Sequence, residues 1–138
     1  MIPKVLDQIA EADILALITN SVAEGRAIEY KRDLPGTSDA DKREFLADVS
    51  SFANTAGGDL IYGIEESQGT PTRIVGLSIS DPDLQIRRLD DSLASGLEPR
   101  IRYASRLVQV AHSRDRGKKM HYCARGGRFG DLFVCRWH

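Results

Sequence analysis

Two short segments carry the residues best suited to chemistry. The first, Ala27-Ile28-Glu29-Tyr30-Lys31-Arg32-Asp33, sets acidic and basic residues side by side. The second runs from a double glycine, Gly57-Gly58, through Leu60-Ile61-Tyr62-Gly63-Ile64 to the paired carboxylates Glu65 and Glu66. Lys31 and Arg32 offer charges that can neutralise a phosphate, which sets affinity without reading sequence; a solvated strand face is the alternative. A glycine pair with free amides can cradle an anion. No Walker lysine follows Gly57-Gly58-Asp59-Leu60, however, and Asp59 would repel phosphate beside the turn. Helix termination, with close approach of backbone to a neighbouring strand, accounts better for the pair, and Asn54 is expected to bond local backbone. His121, Cys123, Cys135 and His138 are of zinc-ligating type, but their order matches no common zinc module, so free thiols are expected. No nucleophile elbow supports an acyl-transfer enzyme.

Hydrophobic spacing predicts the elements that must hold these residues. Val5, Leu6, Ile9, Ala10, Ile14, Leu17 and Ile18 recur at helical spacing over about residues 4–20. Ile28 and Tyr30 alternate with Glu29, Lys31 and Asp33, as in a half-buried strand. A second helix starts near Asp39–Asp41, capped by Ser38 or Asp41, with Glu44 placed for a capping box. Phe45, Val49, Phe52 and Ala56 form its apolar stripe, widened by Leu46 and Ala53, and it is expected to pack on Ile28, Tyr30, Leu60, Tyr62 and Ile64 or their strand neighbours. Gly57-Gly58 is expected to end this helix. Leu60 to Ile64 reads as a central strand, with residues 72–78 as its hairpin partner. Asp81-Pro82 opens a third helix with Ile86, Leu89, Leu93 and Leu97 inward. Residues 101–103 and 107–110 suggest two more short strands. Helices against a small mixed or antiparallel sheet make an α+β domain.

The chain has 138 residues, enough for one domain with an ordinary core. No apolar run approaches the roughly 18 residues a membrane span needs, so no membrane partner is expected. The N-terminus is not expected to act as a secretory or transit signal, and two cysteines make no disulfide framework, so a cytoplasmic location is expected. The net charge of −1 conceals an asymmetry. Residues 1–99 carry 9 Lys/Arg against 18 Asp/Glu, and residues 100–138 carry 10 against 2. Nucleic acid is thus indicated only through the C-terminal third. Residues 112–138 are dense in arginine, lysine and glycine with little period, and read as a basic tail following a domain over residues 1–111. Within that tail, Arg125-Gly126-Gly127-Arg128-Phe129 is similar to flexible arginine–glycine segments that bind RNA through charge and stacking.

The "E-Y-K" strand, the "SFANTAGGDLIYGIEE" run and Ile74-Val75-Gly76-Leu77 together resemble the Schlafen/AlbA-2 domain over about residues 22–103. The tail departs from that pattern: Val110-Ala111-His112-Ser113 and Arg125-Gly126-Gly127 only echo it. The resemblance implies a nucleic-acid-binding domain, DNA ahead of RNA, serving as a module of a transcriptional regulator, with Lys31 and Arg32 as binding residues; Arg125 and Arg128 of the arginine–glycine segment are the further binding candidates. Any effector or winged-helix part is expected to be absent, and a homo-oligomer is compatible with the reading. The alternative it implies is a Mg²⁺- or Mn²⁺-dependent endoribonuclease. There Glu24, Glu29 and Glu65 would hold the metal, with Glu66 a further catalytic candidate, because hard cations take oxygen ligands and activate water on phosphodiesters. This chain has Glu where that family carries Asp at the third position. Glu29-Tyr30-Lys31 is also similar to half of a "(D/E)-x-K" nuclease signature, with a Glu–Lys surface pair as the plainer role. A nucleotide (ATP)-binding or oligomerising module is the second alternative.

Overall fold

The computed structural model describes residues 1–54, 56–77, 79–97, 102–110 and 131–137. A four-stranded sheet in the order β1 (Ile28–Lys31), β2 (Gly58–Tyr62), β6 (Asp131–Trp137), β5 (Tyr103–Gln109) forms the centre. β1 and β2 run parallel, and β2–β6 and β6–β5 run antiparallel. A second, two-stranded sheet pairs β3 (Ile64–Ser67) with β4 (Thr70–Ile74). Among the described residues three helices, α1 (Glu11–Thr19), α2 (Asp39–Ala53) and α3 (Pro82–Gly96), complete an α+β domain. No helix among the described residues is long and apolar enough to cross a membrane.

Alternation along the strands divides the core in two. Leu60, Tyr62, Phe133, Cys135 and Trp137 point to one face, where Phe45, Val49 and Phe52 of α2 and Leu89 and Leu93 of α3 cover them. Ile61, Val134 and Leu132 point to the other face, against Ile14, Leu17 and Ile18 of α1 and the N-terminal segment. Ile28, Tyr30 and Ile64 belong to this second layer and do not meet the apolar stripe of α2; Leu60, Tyr62 and the β6 residues do. The parallel register explains it: Ile28 and Tyr30 sit opposite Asp59 and Ile61, so they share the face turned away from α2. Every residue of β2 is buried, as a strand covered on both sides must be.

The N-terminal region is not one helix. A 3₁₀ turn over Leu6–Gln8 precedes α1, and the chain is extended at Ala10. Asp13 Oδ2 accepts the Ala10 amide at 2.9 Å, which starts the helix afresh at Glu11. The helix caps at Ser38 and Asp81 follow the sequence: their side-chain oxygens accept from Asp41 N and Leu84 N. α2 ends at Ala53 with Asn54 as its C-cap, before the glycine pair. Gly58 is required for another reason. A Cβ there would lie 2.4 Å from Phe52 Cδ1 and 3.0 Å from the Ala27 carbonyl oxygen, so helix, sheet edge and strand meet without room for a side chain. Gly63, at φ 102°, breaks the run expected as one strand and passes the chain from the large sheet to the small one. The hairpin is therefore β3–β4 rather than residues 60–64 with 72–78. Its turn residues Gln68 and Gly69 both have positive φ, the requirement of a two-residue type I′ connection.

Residues 131–137 depart from the expected basic tail. They form an inner strand of the sheet, and its residues from Leu132 to Trp137 are buried. Asp59, fully buried on β2, accepts from Arg136 Nε at 2.7 Å and from a second guanidinium nitrogen at 3.0 Å. The Ile2 amide donates to the same carboxylate at 2.8 Å. Arg136 also donates to the Ile2 carbonyl at 2.9 Å and to the Lys4 carbonyl. Both charges are thus paired and hydrogen-bonded, which burial demands. Replacing Asp59 with alanine leaves Arg136 buried beside an unpaired amide. A loss of about 3–5 kcal/mol is expected in urea unfolding. The double variant Asp59→Ala/Arg136→Met should recover part of it.

Candidate functional site

The candidate carboxylates sit where β1 meets α2 and the hairpin. Glu24 precedes β1; its amide donates to the Gly69 carbonyl at 2.7 Å, and its Oε1 accepts the Tyr30 amide at 3.0 Å. It is therefore a strut between β1 and the β3–β4 turn. Tyr30 donates its hydroxyl to the Val22 carbonyl, and burial, then the Glu24 charge, push its pKa up to about 12. Glu66 accepts the Gly69 amide at 2.6 Å and fixes the turn. Both residues are occupied by backbone.

Glu29 and Lys31 share the face of β1 turned toward α2. The Lys31 ammonium lies 3.4 Å from Glu29, 3.5 Å from Glu44 and 3.4 Å from Asp48. Glu44 and Asp48 stand one helical turn apart on α2, so both reach the same point. Burial raises the pKa of Glu29, and the Asp48 charge raises it further against the pull of Lys31. Asp48 is likewise raised, first by burial, with Lys31 opposing. Burial works against the Lys31 charge, but Asp48 and Glu29 outweigh it and raise its pKa. Lys31 is thus held by three carboxylates rather than presented to a ligand. Asp48 is not marked by the sequence and Glu44 only as a capping-box residue, because their role beside Lys31 depends on which face of β1 the helix covers.

Arg32, the next residue, points elsewhere. Its guanidinium lies 3.6 Å from Glu65 Oε2 on β3. Arg73 on β4, directly across from Glu65, donates to the same oxygen from Nε at 2.7 Å, and its Nη2 lies 2.6 Å from it as an ion pair. Two arginines of separate elements therefore converge on one carboxylate oxygen. Arg73 escapes sequence reasoning, although its place in the alternating Thr72-Arg73-Ile74 could have put it on the outer face.

The metal-ligand set of Glu24, Glu29 and Glu65 does not assemble. Glu24 is turned to backbone, Glu29 to Lys31, and Glu65 to two arginines. Among the described residues no group of three or more His, Cys, Asp or Glu side chains is arranged to hold a metal ion. These residues do not fit a shared Mg²⁺ or Mn²⁺. Glu29 and Lys31 do pair, as a half-buried couple within one strand. Cys135, expected as a free thiol of a loose tail, is buried in the α2 layer, and desolvation drives its pKa far up. Arg125, Arg128, His121, Cys123 and His138 lie outside the described residues.

A small mixed sheet between helical layers, with a charged hairpin beside its parallel edge, defines an α+β domain with a polar outer face. The sequence profile described as Schlafen, AlbA_2 matches residues 24–119, and the chain belongs to that family. It is similar in structure to the N-terminal domain of a Nitrosomonas europaea protein related to the ATP-dependent DNA helicase RecG, solved by solution NMR. The TM-score is 0.56 at 29% identity, over 92% of this chain and 71% of that one. No curated protein matches the chain.

The Lys31 cluster carries a pH signature. Glu29 and Asp48 have folded pKa values above their ordinary ones, so the folded state holds protons that the unfolded state releases. Their effect on stability is therefore unfavourable at neutral pH and fades as pH falls through the folded values toward the ordinary ones near 4. Asp48→Asn should melt higher than the unmodified chain at pH 7, with the difference shrinking toward pH 4 in thermal scans followed by circular dichroism. Lys31 would keep Glu29 and Glu44 as partners in that variant.

Proposed function

We propose that this domain binds nucleic acid through the phosphate backbone, with DNA ahead of RNA, as a module of a transcriptional regulator. The observation that carries the reading is the likeness to the N-terminal domain of the RecG-related protein, which extends over 92% of this chain. Membership of the Schlafen, AlbA_2 family supports the same class of role. The half-buried Arg32 guanidinium is consistent with it. Arg32 is retained as a binding residue, and Arg125 and Arg128 are kept as contributors. Lys31 is removed from the set, because three carboxylates already hold it.

Contacts of this kind are electrostatic and independent of base identity, so they release counterions. Fluorescence anisotropy with labelled 20-mers of duplex DNA, single-stranded DNA and single-stranded RNA, titrated across salt, tests the reading. Affinity should fall with a log–log slope of about −0.9 per duplex phosphate contact, or about −0.7 on single strands. Arg125→Ala/Arg128→Ala should weaken binding to all three probes. Truncation is the wrong instrument here, because removing residues 131–137 deletes an inner strand. Absence of binding at low salt to every probe, or binding indifferent to salt, overturns the proposal.

A further inference from the structure

We infer that Arg32 and Arg73 form an anion-binding pair for a backbone phosphate, and that Glu65 is its built-in competitor. The inference rests on the nucleic-acid reading above and names the site and its regulation. Its basis is convergence: both guanidinium groups address Glu65 Oε2, Arg73 through two nitrogens and Arg32 from 3.6 Å. That carboxylate oxygen occupies the position an anionic phosphate oxygen would take between two arginines. Planar guanidinium groups suit this chemistry, since each presents several donors in a fixed fork and grips phosphate or carboxylate alike.

The surrounding structure keeps the pair accessible and its spacing fixed. The side chains of Arg32, Arg73 and Glu65 are 39%, 41% and 34% exposed. Arg32 follows the last residue of β1, while Arg73 stands on β4, so the two belong to separate elements. Thr72 donates its hydroxyl to the Glu65 carbonyl at 3.0 Å, and Glu66 ties the turn below. The register shifts between Glu65 and Glu66, an irregularity that re-aims side chains relative to a regular hairpin. Arg32 is beyond hydrogen-bonding distance of Glu65, and its donors are uncommitted to that carboxylate. An incoming phosphate competes with Glu65 for both guanidinium groups and repels it. The carboxylate thus tunes affinity downward and screens the arginines from weaker anions.

The test uses the full chain and the same three 20-mer probes, duplex DNA, single-stranded DNA and single-stranded RNA. Arg73→Ala should weaken binding about tenfold and reduce the salt slope by about 1. Arg73→Lys, which keeps charge but loses the fork, should fall between the two. Glu65→Gln keeps the shape and removes the competing charge, so affinity should rise several-fold. Melting curves check that each variant is folded; if Arg73→Ala is not, Arg32→Ala serves, since it gives up only the 3.6 Å contact. The probe with the largest response identifies whether DNA or RNA phosphate is the preferred source. Variants at Arg32 and Arg73 that bind as the unmodified chain overturn the site. Weakening by Glu65→Gln overturns the competitor role and makes Glu65 a positioning residue. If the unmodified chain binds none of the probes, the nucleic-acid reading and this inference fall together.

Discussion

The buried pair of Asp59 and Arg136 holds the architecture together. It links β2 to β6 across the sheet and draws the N-terminal segment onto the same face through Ile2 and Lys4. Two charges without water are costly unless each lone pair and each N–H finds a partner. Here the carboxylate accepts from both a guanidinium and a backbone amide, and the guanidinium reaches two carbonyls besides. That requirement fixes the register of β6, because a slip of one residue would turn Arg136 into the apolar layer and Trp137 out of it. Trp137 is packed between Phe52 and Tyr103, with ring centroids 5.9 and 6.1 Å away. One polar contact and one aromatic stack thus pin the two faces of the same strand.

The same alternation explains why two adjacent cations have different fates. Lys31 belongs to β1 and lies on the face covered by α2, where Glu44 and Asp48 close over it. Arg32 is past the end of the strand and free of that layer, so it meets the hairpin at Glu65. A lysine ammonium among three carboxylates is a structural cation. An arginine pair sharing one half-buried carboxylate is the geometry on which the proposed phosphate site rests. Net charge over residues 1–99 is strongly negative, yet the local arrangement around Glu65 has two cations to one anion.

Much of the fold was legible in the sequence because it depended on local signals. Ser38 and Asp81 capped the helices they were expected to cap, and the Phe45, Val49 and Phe52 stripe became the α2 contact. The family resemblance carried by the "SFANTAGGDLIYGIEE" run also held. What local signals could not supply was long-range pairing. Leu132-Phe133-Val134-Cys135 is an apolar run, but arginines and glycines before it hide its strand character, and Asp59, the partner of the Arg136 that follows it, lies more than seventy residues earlier. The convergence of Glu24, Glu29 and Glu65 was a matter of side-chain direction, which depended on the break at Gly63 and on the choice of hairpin partner. Arg73 became visible as a site residue only once β4 was paired in register with β3.

The position of β6 has a consequence for synthesis. β2 is made early, at residues 58–62, but its antiparallel neighbour is the segment at residues 131–137, and β5 joins the sheet only through that segment. A ribosome releasing the chain from its N-terminal end must therefore expose β1, β2 and helices α1, α2 and α3 well before the inner strand emerges. Until then the open flank of β2 is an unpaired sheet edge, the feature that invites pairing with another chain. Long-range strand pairing of this kind also slows folding, since loop closure precedes its reward. The domain thus stays incomplete until residue 137 has left the exit tunnel, and its vulnerability to aggregation is concentrated in that interval.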